Sequence, residues 1–254
     1  MTLPANHPPG IEPARGAGTG CFHEHDPDVP LNRRAFVEAV GALLLVFIAA
    51  ASGMNKQHVA PSLPLVSTIA GAVATAGALV SLILALGPVS GGHFNPLITV
   101  LQWLRRERGF RCTLTYCIAQ IAGAVFGVFL ANMLFVQHAT SGAAVAAPLA
   151  HLVASEILAS AALMTVVFAC ARARLQSAGA ISVGAWLVAA IIATPSASLA
   201  NPAMVIAGLL ASGPMALTGV AAIFYVLAEC AGALIALGII SIAYPDRARA
   251  PTLA

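Results

Sequence analysis

From Ser90 to Leu104 the chain reads Ser-Gly-Gly-His-Phe-Asn-Pro-Leu-Ile-Thr-Val-Leu-Gln-Trp-Leu, and this stretch decides the fold. Asn95 followed by Pro96 predicts a helix start, because an Asn side chain caps free backbone N–H groups and proline at the first helical position loses no hydrogen bond. The apolar run from Pro96 to Leu104 extends only about 14 Å at 1.5 Å per residue, roughly half of a bilayer's hydrocarbon core. The stretch therefore predicts a helix that enters a membrane halfway.

The second half of the chain contains a copy of this pattern. From Ser198 to Gly208 it reads Ser-Leu-Ala-Asn-Pro-Ala-Met-Val-Ile-Ala-Gly, with the Asn-Pro pair at Asn201 and Pro202. Two half-length helices in corresponding places of a membrane chain indicate a transport site at the bilayer midplane.

The composition indicates a chain that lies mostly in lipid. Of its 254 residues, 59% are hydrophobic and 8% are charged, whereas a soluble domain carries about 25% charged residues. This balance excludes a soluble enzyme, and the sequence contains no paired carboxylates, nucleophile triad or phosphate-binding loop. We expect no cofactor and no nucleic-acid partner.

The N-terminal region contains residue types that bind transition metals. Cys21, His23 and His25 lie close together there. Ligands in a flexible tail lose conformational entropy when they are ordered, and nothing else in the sequence indicates a metal. We therefore predict no metal site.

Six apolar segments accompany the two half-helices. They cover about residues 35–52, 62–86, 112–135, 151–170, 180–193 and 216–243. Most reach the length of about 20 residues that a spanning helix needs, and the fifth is short. We expect an all-α polytopic membrane protein with six transmembrane helices and two re-entrant half-helices. This domain covers residues 31–245, between a disordered tail at 1–30 and a short tail at 246–254.

The basic residues test this layout independently. Six spans and two re-entrant segments place eleven of the twelve Arg and Lys residues on one face, and only Lys56 on the other. Cytoplasmic loops of membrane proteins carry the excess of positive charge. We therefore expect both termini in the cytoplasm and, because the loops are short, a location in a bacterial inner membrane.

An internal repeat relates two halves of the chain, at about residues 35–135 and 151–243. The nine residues that begin at Tyr116, Tyr-Cys-Ile-Ala-Gln-Ile-Ala-Gly-Ala, match Tyr-Val-Leu-Ala-Glu-Cys-Ala-Gly-Ala from Tyr225. Each half contains three spans, an odd number, so the halves are expected to insert with opposite topology, as an inverted repeat.

On these residues the chain resembles the aquaporin, or major intrinsic protein, family. The resemblance covers about residues 35–243. It rests on the stretch 90–96, on Asn-Pro-Ala at residues 201–203, and on three repeat-related side chains, Glu38, Glu156 and Gln120. It implies a bundle of six tilted helices in which the half-helices meet end to end, usually as a homotetramer with one pore per subunit.

The resemblance also implies a central constriction where the half-helices meet. We expect each half-helix to present the positive end of its dipole to the membrane centre and so to reject cations and protons. The asparagine side chains are expected to donate N–H groups to a passing oxygen. Leu97 stands where alanine is commonest, and we expect it to pack beside the opposing half-helix. The constriction residues are Asn95, Pro96, Leu97, Asn201, Pro202 and Ala203.

The outer selectivity filter departs from the family pattern. Met204 follows the second motif, where water- and glycerol-conducting members usually have an arginine. No histidine occurs after His151, so the histidine of typical water channels is missing in any alignment. Such a filter is wider and more apolar. The predicted filter residues are Thr75, Ser198, Met204 and one of Ala189, Ala190 and Ala193.

The acidic residues of the repeat have two interpretations. In this family the counterparts of Glu38 and Glu156 accept hydrogen bonds from the loops that lead into the half-helices, whereas in a coupled transporter such acids carry protons. Glu229, at the position of Gln120, is interpreted as its protonated hydrogen-bonding substitute, with gating as the alternative. His93 is interpreted as a packing and hydrogen-bonding residue, with a pH gate as the alternative.

We therefore expect a membrane channel for water and small uncharged solutes: glycerol, urea-like amides, metalloid hydroxides or hydrogen peroxide. A filter with fewer donors and more room discriminates less against larger neutral solutes. Two alternatives stay open. One is a proton-coupled secondary transporter, and the other is a structural membrane protein whose pore is blocked by Leu97 and Met204.

Overall fold

Eight α-helices make up the described part of the chain in this computed structural model. The structure describes residues 22–24, 26, 28–59, 63–135, 149–175 and 177–244, without the side chains of residues 56–59. The helices are α1 (Leu31–Val59), α2 (Pro64–Ser90), α3 (Pro96–Leu104), α4 (Phe110–Leu134), α5 (Leu149–Arg172), α6 (Ser177–Ala193), α7 (Pro202–Gly208) and α8 (Gly219–Ala243), with a 3₁₀ turn at Gly213–Met215.

The helix lengths agree with the predicted membrane fold. Five of them, α1, α2, α4, α5 and α8, are long and apolar enough to cross a bilayer, and α6 is a shorter apolar helix of 17 residues. The half-helices are shorter still, with nine residues in α3 and seven in α7. The chain is a multi-pass membrane protein whose secondary structure is entirely helical over the described residues. The predicted C-terminal tail at 246–254 lies outside the described residues.

The two halves pack in the same way. In the first half α1 packs against α2 and α4, and in the second half α5 packs against α6 and α8. The half-helices α3 and α7 each contact both α4 and α8, one from either half. This pairing is the one expected of an inverted repeat.

Glycines bring the long helices together at equivalent places. A Cβ atom at Gly123 of α4 would overlap the carbonyl oxygen of Ala39 in α1. A Cβ atom at Gly232 of α8 would overlap the carbonyl oxygen of Ile157 in α5. Small residues let membrane helices approach closely, so these two glycines set the helix separation in each half.

We expect Gly232→Ala to destabilise the protein by about 1–3 kcal/mol, because the added methyl group forces α5 and α8 apart. Gly238→Ala is the matched control on the same helix, since an added Cβ there has no atom within 4 Å. Apparent melting temperature in detergent, read by size-exclusion chromatography after heating, measures the difference. Equal melting temperatures for the two variants would contradict the close-contact interpretation.

Candidate functional site

The two half-helices begin with the same local structure. The side-chain oxygen of Asn95 accepts a hydrogen bond from the Leu97 N–H at 2.9 Å. The side-chain oxygen of Asn201 accepts one from the Ala203 N–H at 3.0 Å. In both cases proline is the first helical residue, so each asparagine caps its own helix as its sequence context predicts.

The same two side chains join the half-helices to each other. The Asn95 amide donates to the carbonyl oxygen of Ala200 at 2.9 Å, and the Asn201 amide donates to that of Phe94 at 3.0 Å. Each amide group carries two hydrogens, so one N–H of each remains for a further acceptor. Both side chains line a cavity, so this N–H group is available to the oxygen of a solute there.

Glu38 holds the loop that leads into α3. One carboxylate oxygen accepts the Ser90 hydroxyl at 2.6 Å and the His93 N–H at 3.0 Å. The other accepts the Phe94 N–H and the Gln120 side-chain amide, both at 2.7 Å. This fully buried carboxyl group therefore satisfies two backbone N–H groups immediately before Asn95.

Two carboxyl groups share this task in the second half. Glu156 accepts the N–H groups of Leu199 at 3.1 Å and Ala200 at 2.9 Å. Glu229 accepts the Asn201 N–H at 2.7 Å, while its second oxygen is buried and has no partner among the described residues. Glu229 thus accepts a hydrogen bond from the loop backbone directly. Its counterpart Gln120 instead donates a hydrogen bond to Glu38. The interpretation of Glu229 as a copy of Gln120 does not match this geometry.

The cavity has about 290 Å³ of room and passes both asparagines. Within the described chain, no Asp, Glu, Lys or Arg side chain lines it. An ion entering such a space loses hydration without a counter-charge, whereas a neutral solute loses far less. The aliphatic wall consists mainly of Leu45, Leu79, Ile83, Ile98, Leu163, Val167, Val183, Leu187 and Ile191.

Three of the predicted filter residues, Thr75, Ser198 and Met204, line this cavity. The Thr75 hydroxyl donates to the Gly71 carbonyl oxygen at 2.9 Å. The Ser198 hydroxyl is buried and has no partner among the described residues, so it is available to a solute. The thioether of Met204, the residue that follows the second Asn-Pro-Ala motif, contributes no charge to the wall.

The α6 contribution to the wall differs from the prediction. Ala189, Ala190 and Ala193 do not line the cavity; Val183, Leu187 and Ile191 do. The last three recur every four residues and so lie on one face of the helix. The four-residue spacing of these side chains is visible in the sequence. Aligning α6 with the first half of the repeat requires a gap, and the position chosen for that gap assigned the alanines to the wall instead.

Of the six predicted constriction residues, only Asn95 and Asn201 line the cavity. Pro96, Pro202 and Ala203 are buried behind them. Leu97, 5% exposed, packs in an apolar core cluster with Ile98 and Leu101. The leucine in the first motif therefore packs in the core and does not line the cavity.

The His93 ring lies at one end of the cavity with both nitrogens engaged. Nδ1 is 2.9 Å from the Thr99 hydroxyl, and Nε2 is 3.1 Å from the carbonyl oxygen of Phe22. The ring also packs edge-on against Tyr116, with centroids 5.7 Å apart. These contacts fit the packing and hydrogen-bonding role.

The predicted disordered tail is partly wrong, because its last residues are folded. Phe22 is 3% exposed and lines the cavity, and Glu24 forms ion pairs with Arg34 and Arg108. The available sequence signal for this ordered segment was an aromatic residue within a polar tail. The partners of Glu24 are distant in sequence, so no local pattern could identify them.

The metal prediction concerns the same tail. Among the described residues, no group of three or more His, Cys, Asp or Glu side chains is placed to hold a metal ion. Two of the three candidate ligands, Cys21 and His25, lie outside the described residues.

Comparison with known proteins agrees with this geometry. The model of the family "Major intrinsic protein" matches residues 27–199. Aquaporin NIP6-1 of Arabidopsis thaliana is 31% identical over 233 residues, 89% of this chain and 73% of the relative. Aquaglyceroporin AqpS of Rhizobium meliloti is 38% identical over 105 residues, 41% of this chain and 45% of the relative. Aquaporin AqpM of Methanothermobacter marburgensis is 33% identical over 130 residues, 46% and 51% respectively.

The match to the plant relative covers most of both chains, whereas the matches to the other two span about half of each relative. With the family model over more than half of the chain, the helical membrane fold and the paired asparagine caps, these findings exclude an enzyme. The chain belongs to the major intrinsic protein family, whose members are membrane channels for water or small solutes.

Proposed function

We propose that this protein is a passive channel whose range extends beyond water to small uncharged solutes: glycerol, urea-like amides, metalloid hydroxides and hydrogen peroxide. The observation that carries the proposal is Met204, a neutral thioether in the cavity wall where a filter arginine is expected. A wall without a fixed cation leaves more room and fewer donors, so it discriminates less by size. The similarity to a protein named aquaglyceroporin supports the same solute class.

The absence of charge along the described cavity wall supports passive transport of neutral molecules. Coupling to protons requires a titratable carboxyl group that alternates between the pore and a partner. Glu38, Glu156 and Glu229 are each 0% exposed and bond the loops before the asparagines. Their burial and their contacts fit a structural role better than a role in proton coupling.

Ion and proton exclusion follows from the same site. Asn95 and Asn201 offer donors to the pore, and the half-helices direct the positive ends of their dipoles toward it. A cation at this point meets these positive partial charges, and no carboxylate of the described cavity wall compensates them. We therefore expect no ion current, even without the filter arginine.

The distribution of arginines supports a cytoplasmic location of both termini. Glu24 pairs with Arg34 and Arg108, and Glu107 pairs with Arg105 and Arg172. The start of α1, the α3–α4 loop and the end of α5 therefore share one end of the bundle, which we call the arginine-bearing end. By the positive-inside rule this end faces the cytoplasm. We propose a location in the bacterial inner membrane, because the loops are short, and a homotetramer with one pore per subunit, which the family relationship implies.

Met204→Arg tests the solute range. An arginine at this place narrows the cavity and adds a fixed charge, so glycerol permeability is expected to fall by roughly tenfold, which corresponds to about 1.4 kcal/mol in the barrier. Water permeability falls less, because water is smaller. Stopped-flow light scattering on proteoliposomes measures both.

Met204→Leu is the matched control for this variant, because it keeps the volume and the neutrality of the side chain. Both permeabilities should then stay close to wild type. If Met204→Arg elutes as folded protein and changes neither permeability, Met204 is not a filter residue.

Substitutions at Glu229 distinguish a structural role of the buried acids from a role in proton coupling. In Glu229→Gln the amide oxygen still accepts the Asn201 N–H, so solute flux and melting temperature are expected to stay near wild type. In Glu229→Leu this buried N–H loses its partner, which costs about 1–3 kcal/mol. The readouts are glycerol flux with and without a pH gradient, and thermal stability in detergent. Flux driven by a pH gradient and abolished in Glu229→Gln would support the transporter instead.

A further inference from the structure

The folded part of the N-terminal tail, residues Phe22 to Glu24, lies against the pore at the arginine-bearing end. We propose that Phe22 is a permeation-limiting residue of this channel, additional to the central asparagines and the outer filter, and that Glu24 holds it there through Arg108. The proposal concerns the chain's own transport route and deepens the proposed function. For water it rests only on the channel activity of the family, and for glycerol it rests also on the proposed solute range.

The Phe22 side chain belongs to the pore wall. It is 3% exposed, lines the cavity that passes the asparagines, and shares an apolar cluster with Leu79 and Ile83 of α2. His93 lines the cavity at the same end. The phenyl ring therefore occupies volume that a solute would otherwise use.

The backbone of Phe22 is fixed by two hydrogen bonds. Its carbonyl oxygen accepts the Gln102 side-chain amide at 2.7 Å and lies 3.1 Å from Nε2 of His93, which donates to it. Its φ angle is 66°, a value that bulky residues rarely adopt. A left-handed conformation persists where surrounding contacts determine it, and these two bonds supply them.

The loop before α3 is shaped to receive this carbonyl group. Gly91 has a φ angle of +93°, and a Cβ atom there would lie 3.1 Å from the carbonyl oxygen of Phe22. Any other residue at this position would be strained and would crowd the contact. The close approach of tail and loop is thus built into the sequence of the first motif.

Glu24 attaches the segment to the helices around it. Its Oε1 lies 2.6 Å from Nη1 of Arg108 and 3.0 Å from Nη1 of Arg34, and it accepts the Tyr116 hydroxyl at 3.0 Å. Arg108 is itself only 5% exposed and lies over the Tyr116 ring at 4.5 Å. An ion pair with this little exposure is weakly screened by salt, so it holds the tail firmly.

Size changes at Phe22 test the proposal directly. In the full-length chain, Phe22→Ala is expected to raise water permeability per channel by about threefold or more, because one barrier in series is lowered. Phe22→Trp is expected to lower it. Glu24→Ala, which releases the segment, is expected to raise it as Phe22→Ala does. Stopped-flow shrinkage of proteoliposomes gives water permeability, and re-swelling gives glycerol permeability.

The matched controls are a second phenylalanine and a second acidic residue of the tail. Phe36 of α1 is 68% exposed, and Asp28 is also exposed; alanine at either is expected to leave flux unchanged. A purely structural Phe22 would lower the melting temperature in both size variants without moving flux in opposite directions. Folded Phe22→Ala and Glu24→Ala with unchanged or lower water flux would overturn the proposal. If Phe22→Ala does not fold, the opposite shifts of Phe22→Trp and Glu24→Ala decide it, and no shift in either overturns it.

Mild acid is expected to leave this attachment intact. Burial alone would raise the pKa of Glu24, but the charge and hydrogen bond of Arg108 outweigh it and lower the pKa to about 2. The groups that face Glu24 are Arg34, Arg108, Tyr116 and His93. Because the folded pKa is depressed, the stabilisation is complete above the unfolded value of about 4.3 and is lost only as pH falls toward 2. The ratio of Glu24→Ala to wild-type water permeability should stay constant from about pH 8 to about pH 5; a ratio that falls toward one at the acid end would show that the attachment opens there.

Discussion

A backbone N–H group inside a bilayer has no water to bond, and the loops that lead into the half-helices face this constraint most severely. Phe94 and Ala200, the residues just before the two asparagines, have left-handed φ angles of 47° and 44°, and regular secondary structure cannot supply their partners. Glu38 and Glu156 supply them instead. The positions of Asn95 and Asn201, and therefore the centre of the pore, depend on these buried carboxylates.

The two halves of the repeat meet this constraint with different side chains. In the first half the Gln120 amide satisfies the glutamate, whereas in the second half Glu229 takes over one backbone N–H directly. The pore ends differ in the same way. Beside the loop before α3 the cavity is lined by His93 and Phe22, and beside the start of α7 it is lined by the small Ser198 and the flexible Met204. An inverted repeat fixes the backbone path, and the side chains then make the two ends chemically distinct.

Sequence reasoning succeeded where the physics is local. The bounds of α3 follow from the cap at Asn95 and the run to Leu104, and the structure has the same bounds. The predictions from sequence were wrong where a residue's role depends on partners that are distant along the chain. The α6 wall residues depend on how that helix is rotated against α2, and alignment to the other half does not determine this rotation. The ordered tail depends on Glu24 meeting Arg108, 84 positions along the chain by the printed numbering, and no local pattern encodes that contact.

Permeation through such a pore is a set of barriers in series, so the largest barrier sets the rate and the smaller ones have little effect. In family members with a filter arginine, that residue is expected to be the largest barrier, and a phenyl ring at the opposite end would then add little. On the filter assignment proposed for Met204, the outer barrier is lower, which gives the phenyl ring of Phe22 a larger share of the total resistance. The two proposals are therefore linked: the neutral filter widens the range of solutes that the channel admits, and the folded tail limits the rate at which they pass.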